Sequence, residues 1–286
     1  MSSHLTVIVN PRAGARNRAA LDRALALLGA GRVVVPDSPE ATTAAARDAE
    51  ASGASTIVVA GGDGTIHCVV NGLKTRTCTI GLIPCGTAND LAHHMGVPAD
   101  LSAAARVLLS NHVARPIDLV RINGVRIVTV GGMALAADAA IAALRLKESW
   151  PGIGPAVYKF GAARSILGRR RLRLRNPDRW VTGVFVVNQA DIGGQIRLPC
   201  PSKNDDGVCE VMEIRALGRV RLGRTLIAVA RNRPAPPGAF AWQATSGMRM
   251  EFEDDVACFG DGEDLGRARV FEIAVEPGAL RVHAPG

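Results

Sequence analysis

Ser55-Thr56-Ile57-Val58-Val59-Ala60 runs directly into Gly61-Gly62-Asp63-Gly64-Thr65, and 24 residues on the same arrangement recurs. There Thr79-Ile80-Gly81-Leu82-Ile83 is followed by Pro84-Cys85-Gly86-Thr87-Ala88-Asn89-Asp90. Each apolar run has the length and β-branched character of a strand buried on both faces. Each then breaks into a turn that combines glycine, a hydroxyl and a carboxylate. Glycine lets backbone amides approach an anion, since no β-carbon intervenes and unusual φ angles cost little. A carboxylate repels phosphate but holds the cation that accompanies it. Glycine turns after strands are also common as plain connections. Here two of them carry Asp63 and Asp90, and a third, Asn10-Pro11-Arg12-Ala13-Gly14, follows the strand-like Leu5 to Val9. Together they point to a magnesium nucleotide and to phosphoryl transfer.

The surrounding pattern places these turns. Strand-like runs at 5–9, 33–35, 56–60 and 79–83 alternate with helical periodicity at 17–28, 40–52, 66–73, 89–95 and 101–110. Alternation of this kind implies a parallel sheet covered on both faces, with the ligand site beyond the carboxyl ends of its strands. All three turns fall there. From about residue 116 short strand-like runs dominate, at 117–122, 125–130, 171–175, 181–188, 207–214, 248–252, 257–259, 270–275 and 280–283, interrupted by helical patterns near 137–147, 156–167 and 219–229. The expected fold class is therefore α/β followed by β. An N-terminal parallel-sheet nucleotide-binding domain (1–115) precedes a β-sandwich-like C-terminal domain (116–286).

Length and composition agree with two medium domains. The chain has 286 residues, of which 48% are apolar and 3% aromatic, so its core must be built from Val, Leu, Ile and Ala. The formal charge of +8 favours an anionic partner without choosing among nucleotide, nucleic acid and lipid surface. Six scattered cysteines (68, 78, 85, 200, 209 and 258) form no Cys-x-x-Cys pair, which suits a reduced, cytoplasmic protein. Met1-Ser2-Ser3-His4 enters a strand pattern at once, leaving no room for a signal peptide. The apolar stretch 127–146 contains Asp138 and is a poor membrane span, so any membrane contact is expected to be peripheral, at the inner face. The basic run from Arg164 to Arg175 reads either as a solvated strand edge or as a site for anionic headgroups. It has no interleaved aromatics, which argues against a nucleic-acid platform.

Val9-Asn10-Pro11-Arg12-Ala13-Gly14, Gly61-Gly62-Asp63-Gly64-Thr65-Ile66, Val70-Asn71-Gly72-Leu73 and the segment 84–92 together resemble the diacylglycerol kinase catalytic domain family, which includes bacterial lipid kinases and sphingosine and ceramide kinases. Arg115 to Leu119, Asp206-Gly207 and Gly260-Asp261-Gly262-Glu263 match further stations in the same order. The Gly-Gly-Asp-Gly-Thr turn is shared with NAD kinases and phosphofructokinases, whereas Pro-x-Gly-Thr-x-Asn-Asp-x-Ala is selective for the lipid-kinase branch. The resemblance implies transfer of the ATP γ-phosphate to a lipid hydroxyl, that of diacylglycerol or a related glycerolipid before that of a sphingoid base. A NAD kinase-like enzyme and a catalytically silent nucleotide or lipid sensor are the rivals.

On that resemblance Asn10, Pro11, Gly14, Gly61, Gly62, Asp63, Gly64, Thr65, Gly86, Thr87, Asn89 and Asp90 would bind ATP. Asp63 would hold Mg²⁺. Asp261 or Glu263 would be the base, although by itself Asp261-Gly262-Glu263-Asp264 reads first as an acidic hairpin turn. Asp206, linked to Asp118, with carbonyls near Lys203 and Val208, would hold a structural Mg²⁺. The expected partner is a lipid substrate at a membrane surface and not nucleic acid; a homodimer is left open. His67, His93, Gly131 and Ala136 depart from the residues usual at their stations in the family.

Overall fold

In the computed structural model, residues 5–13, 18–29, 31–109, 112–149, 171–176, 178–193 and 196–286 are described. The helical expectation at 156–167 and the arginines at 164–170 lie outside them. The chain divides into two compact units, one of residues 1–117 with 278–286, the other of residues 118–277. Sequence patterning assigned the final nine residues to the second domain; they return to the first.

The first unit alternates β1 (Leu5–Val9), α1 (Arg18–Leu28), β2 (Arg32–Val34), α2 (Pro39–Ala51), β3 (Thr56–Gly61), α3 (Asp63–Gly72), β4 (Thr79–Pro84), α4 (Asp90–His94) and α5 (Leu101–Leu109). Its strands pair in parallel in the order β2-β1-β3-β4. Beyond β4, Arg281 and Val282 add a parallel stretch against Thr79 and Ile80. Val7, Ile8, Ile57, Val58, Ile80 and Ile83 are fully buried, as a sheet covered on both faces requires. Local chemistry sets the helix ends. At α2, Ser38 Oγ accepts from Ala41 N at 3.1 Å and proline occupies the first turn. At α3 the cap is Gly62, extended and without a side-chain bond, so the helix starts inside the glycine turn, three residues before the periodicity predicts.

The second unit contains the rest of β5 (His112–Ile122), then β6 (Val125–Ile127), β7 (Val130–Ala134), α6 (Leu135–Ser149), β8 (Leu172–Asn176), β9 (Asp178–Val187), β10 (Asp191–Ile192), β11 (Ile196–Arg197), β12 (Cys209–Arg215), α7 (Arg219–Ala230), β13 (Phe240–Thr245), β14 (Gly247–Gly260) and most of β15 (Glu263–Pro285). The main pairings are antiparallel in the order β13-β12-β9-β7-β14-β15, and β8 continues the slot of β7 between β9 and β14. The runs at 248–252 and 257–259 form one strand with shifts of register, at 251–256 and 257–259. The run at 125–130 instead splits, because Val128 and Thr129 turn their amides away from the ladder. Phe252 and Phe271 meet edge to face at 5.8 Å in the core.

Candidate functional site

Chain order in the first sheet reverses at β1, with β2 on one side and β3 on the other. This makes the crevice beyond the ends of β1 and β3 the topological switch point, where such sheets bind ligands. The three turns meet there. Asn10 N donates to Ala60 O at 3.0 Å and Asn10 Nδ2 to Thr65 Oγ1 at 2.9 Å, tying the first turn to the second. Cys85 N donates to Gly61 O at 2.9 Å, tying the third to the second. The last two then touch through their backbones. A β-carbon on Gly86 would stand 2.5 Å from Gly62 Cα, and one on Gly62 would stand 2.9 Å from Gly86 Cα. Nothing but glycine fits either position.

Within the third turn Asn89 adopts φ +54, its Oδ1 accepting from Gly86 N at 2.8 Å and its Nδ2 donating to Gly86 O at 3.1 Å. The side chain thereby folds the turn onto itself. Asp63 is half-buried at the first position of α3, and its Oδ1 accepts from Leu91 N at 3.4 Å, a long contact. Asp90 is buried at the first position of α4. Both carboxylates thus sit at helix N-termini, where the positive end of the helix favours anions. Thr65 is buried, Thr87 and Gly64 are half-buried, and Pro11 is exposed. Gly14 lies outside the described residues. Burial raises the Cys85 thiol to about 11, so it stays protonated at neutral pH and offers no nucleophile. As hard oxygen donors on glycine-rich turns, Asp63 and Asp90 are of the type that suits a magnesium-bound phosphate group.

The two candidates for the base have opposite surroundings. Asp261 and Gly262 are the centre of a two-residue hairpin joining β14 to β15, with φ +51 and +89, as a type I′ turn demands. That geometry aims Asp261 inward, where it is 7% exposed. Its carboxylate accepts from Val128 N (3.1 and 3.0 Å), Thr129 N (2.8 Å) and Thr129 Oγ1 (2.8 Å). Glu263, two residues on, is half-buried at the start of β15. Thr129 escaped the sequence reading because it sits inside a strand-like run and no spacing marks it.

The same polar network reaches the Asp206-Gly207 turn. Asn188, fully buried, donates from Nδ2 to Val128 O (2.7 Å) and Asp118 O (2.9 Å), and Asp118 Oδ2 accepts from Gly207 N at 2.6 Å. Asp206 is exposed and its Oδ1 accepts from Val208 N at 3.2 Å. Asp118 and Asp206 therefore flank one turn. Glu210 Oε2 and Asn188 Oδ1 are buried acceptors without a hydrogen-bond partner. Burial pushes the Glu210 carboxyl up; Ser202 Oγ is near enough to offset part of this, though without good hydrogen-bond geometry, and Asp206 adds to the rise. Among the described residues no group of three or more His, Cys, Asp or Glu side chains is placed to hold a metal ion. A cation at this turn would draw on Asp206, Asp118 and carbonyl oxygens, a set that suits Mg²⁺ or Ca²⁺.

In the basic run, Arg173 pairs with Asp178 at 3.0 Å and Arg175 with Glu253 at 3.5 Å. Both described arginines on β8 are thus engaged with neighbouring carboxylates. No helix of the described residues is long and apolar enough to cross a membrane.

Comparison with known proteins gives a consistent result. The sequence model of the diacylglycerol kinase catalytic domain matches residues 4–122. A "Probable lipid kinase YegS-like" protein of Pseudomonas aeruginosa is 29% identical over 252 residues, which is 83% of this chain and 79% of that one. The diacylglycerol kinase of Bacillus subtilis is 42% identical over 92 residues, 32% of this chain and 30% of its own. A crystal structure of a diacylglycerol kinase from Bacillus anthracis superposes with a TM-score of 0.73 at 20% identity, covering 97% of this chain and 95% of the other. A second crystal structure from that organism, of "a putative diacylglycerol kinase", gives 0.77 at 20% identity over 97% and 96%.

Proposed function

We infer that the chain, which through residues 4–122 belongs to the diacylglycerol kinase catalytic domain family, is a lipid kinase that transfers the γ-phosphate of ATP to a lipid hydroxyl. A primary hydroxyl of diacylglycerol or a related glycerolipid is the first choice of acceptor, and that of a sphingoid base the second.

The observation that carries this is the backbone contact of Gly62 with Gly86 at the switch point, with Asn10 bonded to Thr65 alongside. Phosphoryl transfer asks mainly for positioning and for neutralisation of charge. Amides of the 61–65 and 86–90 turns other than those of Thr65 and Gly86, which are bonded within their own turns, would cradle the phosphates, with the N-terminal end of α3 contributing its dipole. Asp63 would hold Mg²⁺, which when bound would supply positive charge beside the phosphates. Asp90 would fix the third turn around it.

Glu263 is assigned the base. A base must have an oxygen available for the acceptor proton, and the Asp261 oxygens are taken by Val128 and Thr129. Asp261 is instead a positioning residue that sets the hairpin from which Glu263 projects. The proton of the hydroxyl would pass to the Glu263 carboxylate as the oxygen attacks the γ-phosphorus.

The test is incubation of the purified full chain with γ-labelled ATP and Mg²⁺ together with dispersed diacylglycerol or sphingosine, followed by separation of the lipids. Label is expected in the lipid product, and Asp63→Ala is expected to abolish it while the protein stays folded. ATP binding with no labelled lipid would leave a nucleotide-binding protein instead, and activity of Asp63→Ala near that of the parent would remove Asp63 from the metal site.

A further inference from the structure

Residues 214–250 contain seven arginines and no aspartate or glutamate, and α7 lies at the centre of this segment. The helix uses one face to dock onto its own unit. Leu222 and Thr225 are buried, and Leu222 and Leu226 pack with Leu135, Ile214, Leu217 and Ala239. At helical spacing, the opposite stripe is Val220, Arg224, Ile227 and Arg231, alternating aliphatic and cationic. Val220 is 80% exposed and Ile227 53%. Arg219, Val220, Arg221 and Arg224 border one open hollow beside Gly218 and Pro236. The Arg221 guanidinium donates to the Pro237 carbonyl, which fixes one side of it. Among the described residues no carboxylate pairs with Arg219, Arg224, Arg231 or Arg233.

We propose that the outer face of α7 is a docking surface for an anionic lipid bilayer. The helix stays seated on its sheet and lays Val220 and Ile227 into the interface, while Arg219, Arg224, Arg231 and Arg233 meet phosphate headgroups. An aliphatic side chain exposed between arginines gains nothing from water or from a phosphate backbone; it gains from the acyl boundary just below a headgroup layer. Arginine suits the same depth, since its methylene stem lies along apolar surface while its guanidinium reaches phosphate. The stripe has no aromatic ring on which a base could stack, which disfavours single-stranded nucleic acid. A second copy meeting it face to face would set arginine against arginine with no acid in the segment to relieve them. This assignment rests on the α7 face alone, and the kinase reading can fail without it.

The test is co-sedimentation of the full chain with vesicles of phosphatidylcholine alone and with vesicles carrying about one-third phosphatidylglycerol, across a salt series. Binding is expected only to the anionic vesicles and should fall steeply with salt. At ~1 kcal/mol per basic residue, the triple variant Arg219→Gln, Arg224→Gln, Arg231→Gln should weaken partitioning on the order of 100-fold. Val220→Ser with Ile227→Ser should weaken it about tenfold or more while leaving its salt dependence. All five positions are exposed, so melting temperatures should match the parent, which separates lost docking from lost fold. Equal binding to neutral and anionic vesicles, or unchanged binding by the triple variant, would overturn the proposal. So would a self-association, seen by sedimentation equilibrium without vesicles, that Ile227→Ser abolishes. Docking through these residues by a chain that phosphorylates no lipid would uphold this surface and remove the kinase reading; lipid phosphorylation indifferent to vesicle charge would do the reverse.

Discussion

Two carboxylates separated by one glycine, Asp261 and Glu263, look alike in sequence and differ in what surrounds them. The type I′ hairpin points one into a ring of amides and leaves the other at the start of a strand. Glu263→Gln is therefore expected to keep the melting temperature of the parent and the affinity for ATP, while kcat falls by a factor of about 10² or more, the usual worth of a general base. Asp261→Asn should behave in the opposite order. An amide puts an NH2 group where the second oxygen accepts from Val128 N, so a buried contact becomes donor against donor at a cost of about 1–3 kcal/mol, visible first as a lower melting temperature. Equal stability of the two variants would contradict these roles. A third residue-scale prediction concerns Gly86→Ala: with a β-carbon 2.5 Å from Gly62 Cα, the turns must separate, and ATP affinity measured by titration calorimetry should drop while the rest of the unit melts normally. The meeting of the three turns was legible in the sequence, since glycine, asparagine and aspartate after buried parallel strands fall at one end of the sheet. The different surroundings of Asp261 and Glu263 were not, because they depend on amides more than a hundred residues away.

At the scale of elements, α2 does more than cover the sheet. Glu50 near its end accepts from Lys74 N (2.6 Å), Thr75 N (3.0 Å) and Arg76 N (2.5 Å), fixing the loop between α3 and β4, where Arg76 holds φ +56. Burial alone would raise the Glu50 carboxyl, yet the amides of Thr75, Lys74 and Arg76 outweigh it and hold the group below the usual carboxylate range. A carboxyl depressed in the folded state stabilises the fold above its unfolded pKa, and that stabilisation is lost as pH falls through the lower folded value. Melting temperatures of the parent and Glu50→Gln should therefore differ most near neutral pH and converge in acid; a constant gap would exclude the linkage. Elements of this first unit were read from sequence to within a few residues, because parallel strands buried on both faces give continuous apolar runs and helices between them give a different period. The second unit was read less well. β13 was missed, since Phe240, Ala241 and Trp242 follow a proline-rich loop and alternate weakly, and β14 was taken for two strands because its register shifts interrupt the alternation.

For the whole molecule, the decisive feature is that the chain leaves the first unit at Ile117 and comes back at Gly278. No local pattern announces the return, since a strand near the C-terminus reads the same whichever sheet receives it. Its consequences are physical. Leu280, Val282 and Ala284 are buried to 1% exposure or less, and Arg281 and Val282 cover β4 by pairing with Thr79 and Ile80. Without them β4 becomes an open edge of a parallel sheet, with Ile80 and Leu82 left against water on that side. Burying a Leu and a Val side chain contributes about 1.5–3 kcal/mol each, a large share of the 5–15 kcal/mol that typically separates folded from unfolded protein. A chain ending at Pro277 should consequently lose most of its soluble yield, and any soluble fraction should melt well below the parent with ATP binding lost. Substituting Val282→Asp in the full chain should reproduce the defect, because it places a charge in that sheet without shortening the protein. Parent-like melting of both would mean that the first unit is complete by residue 115, as the sequence pattern alone implied.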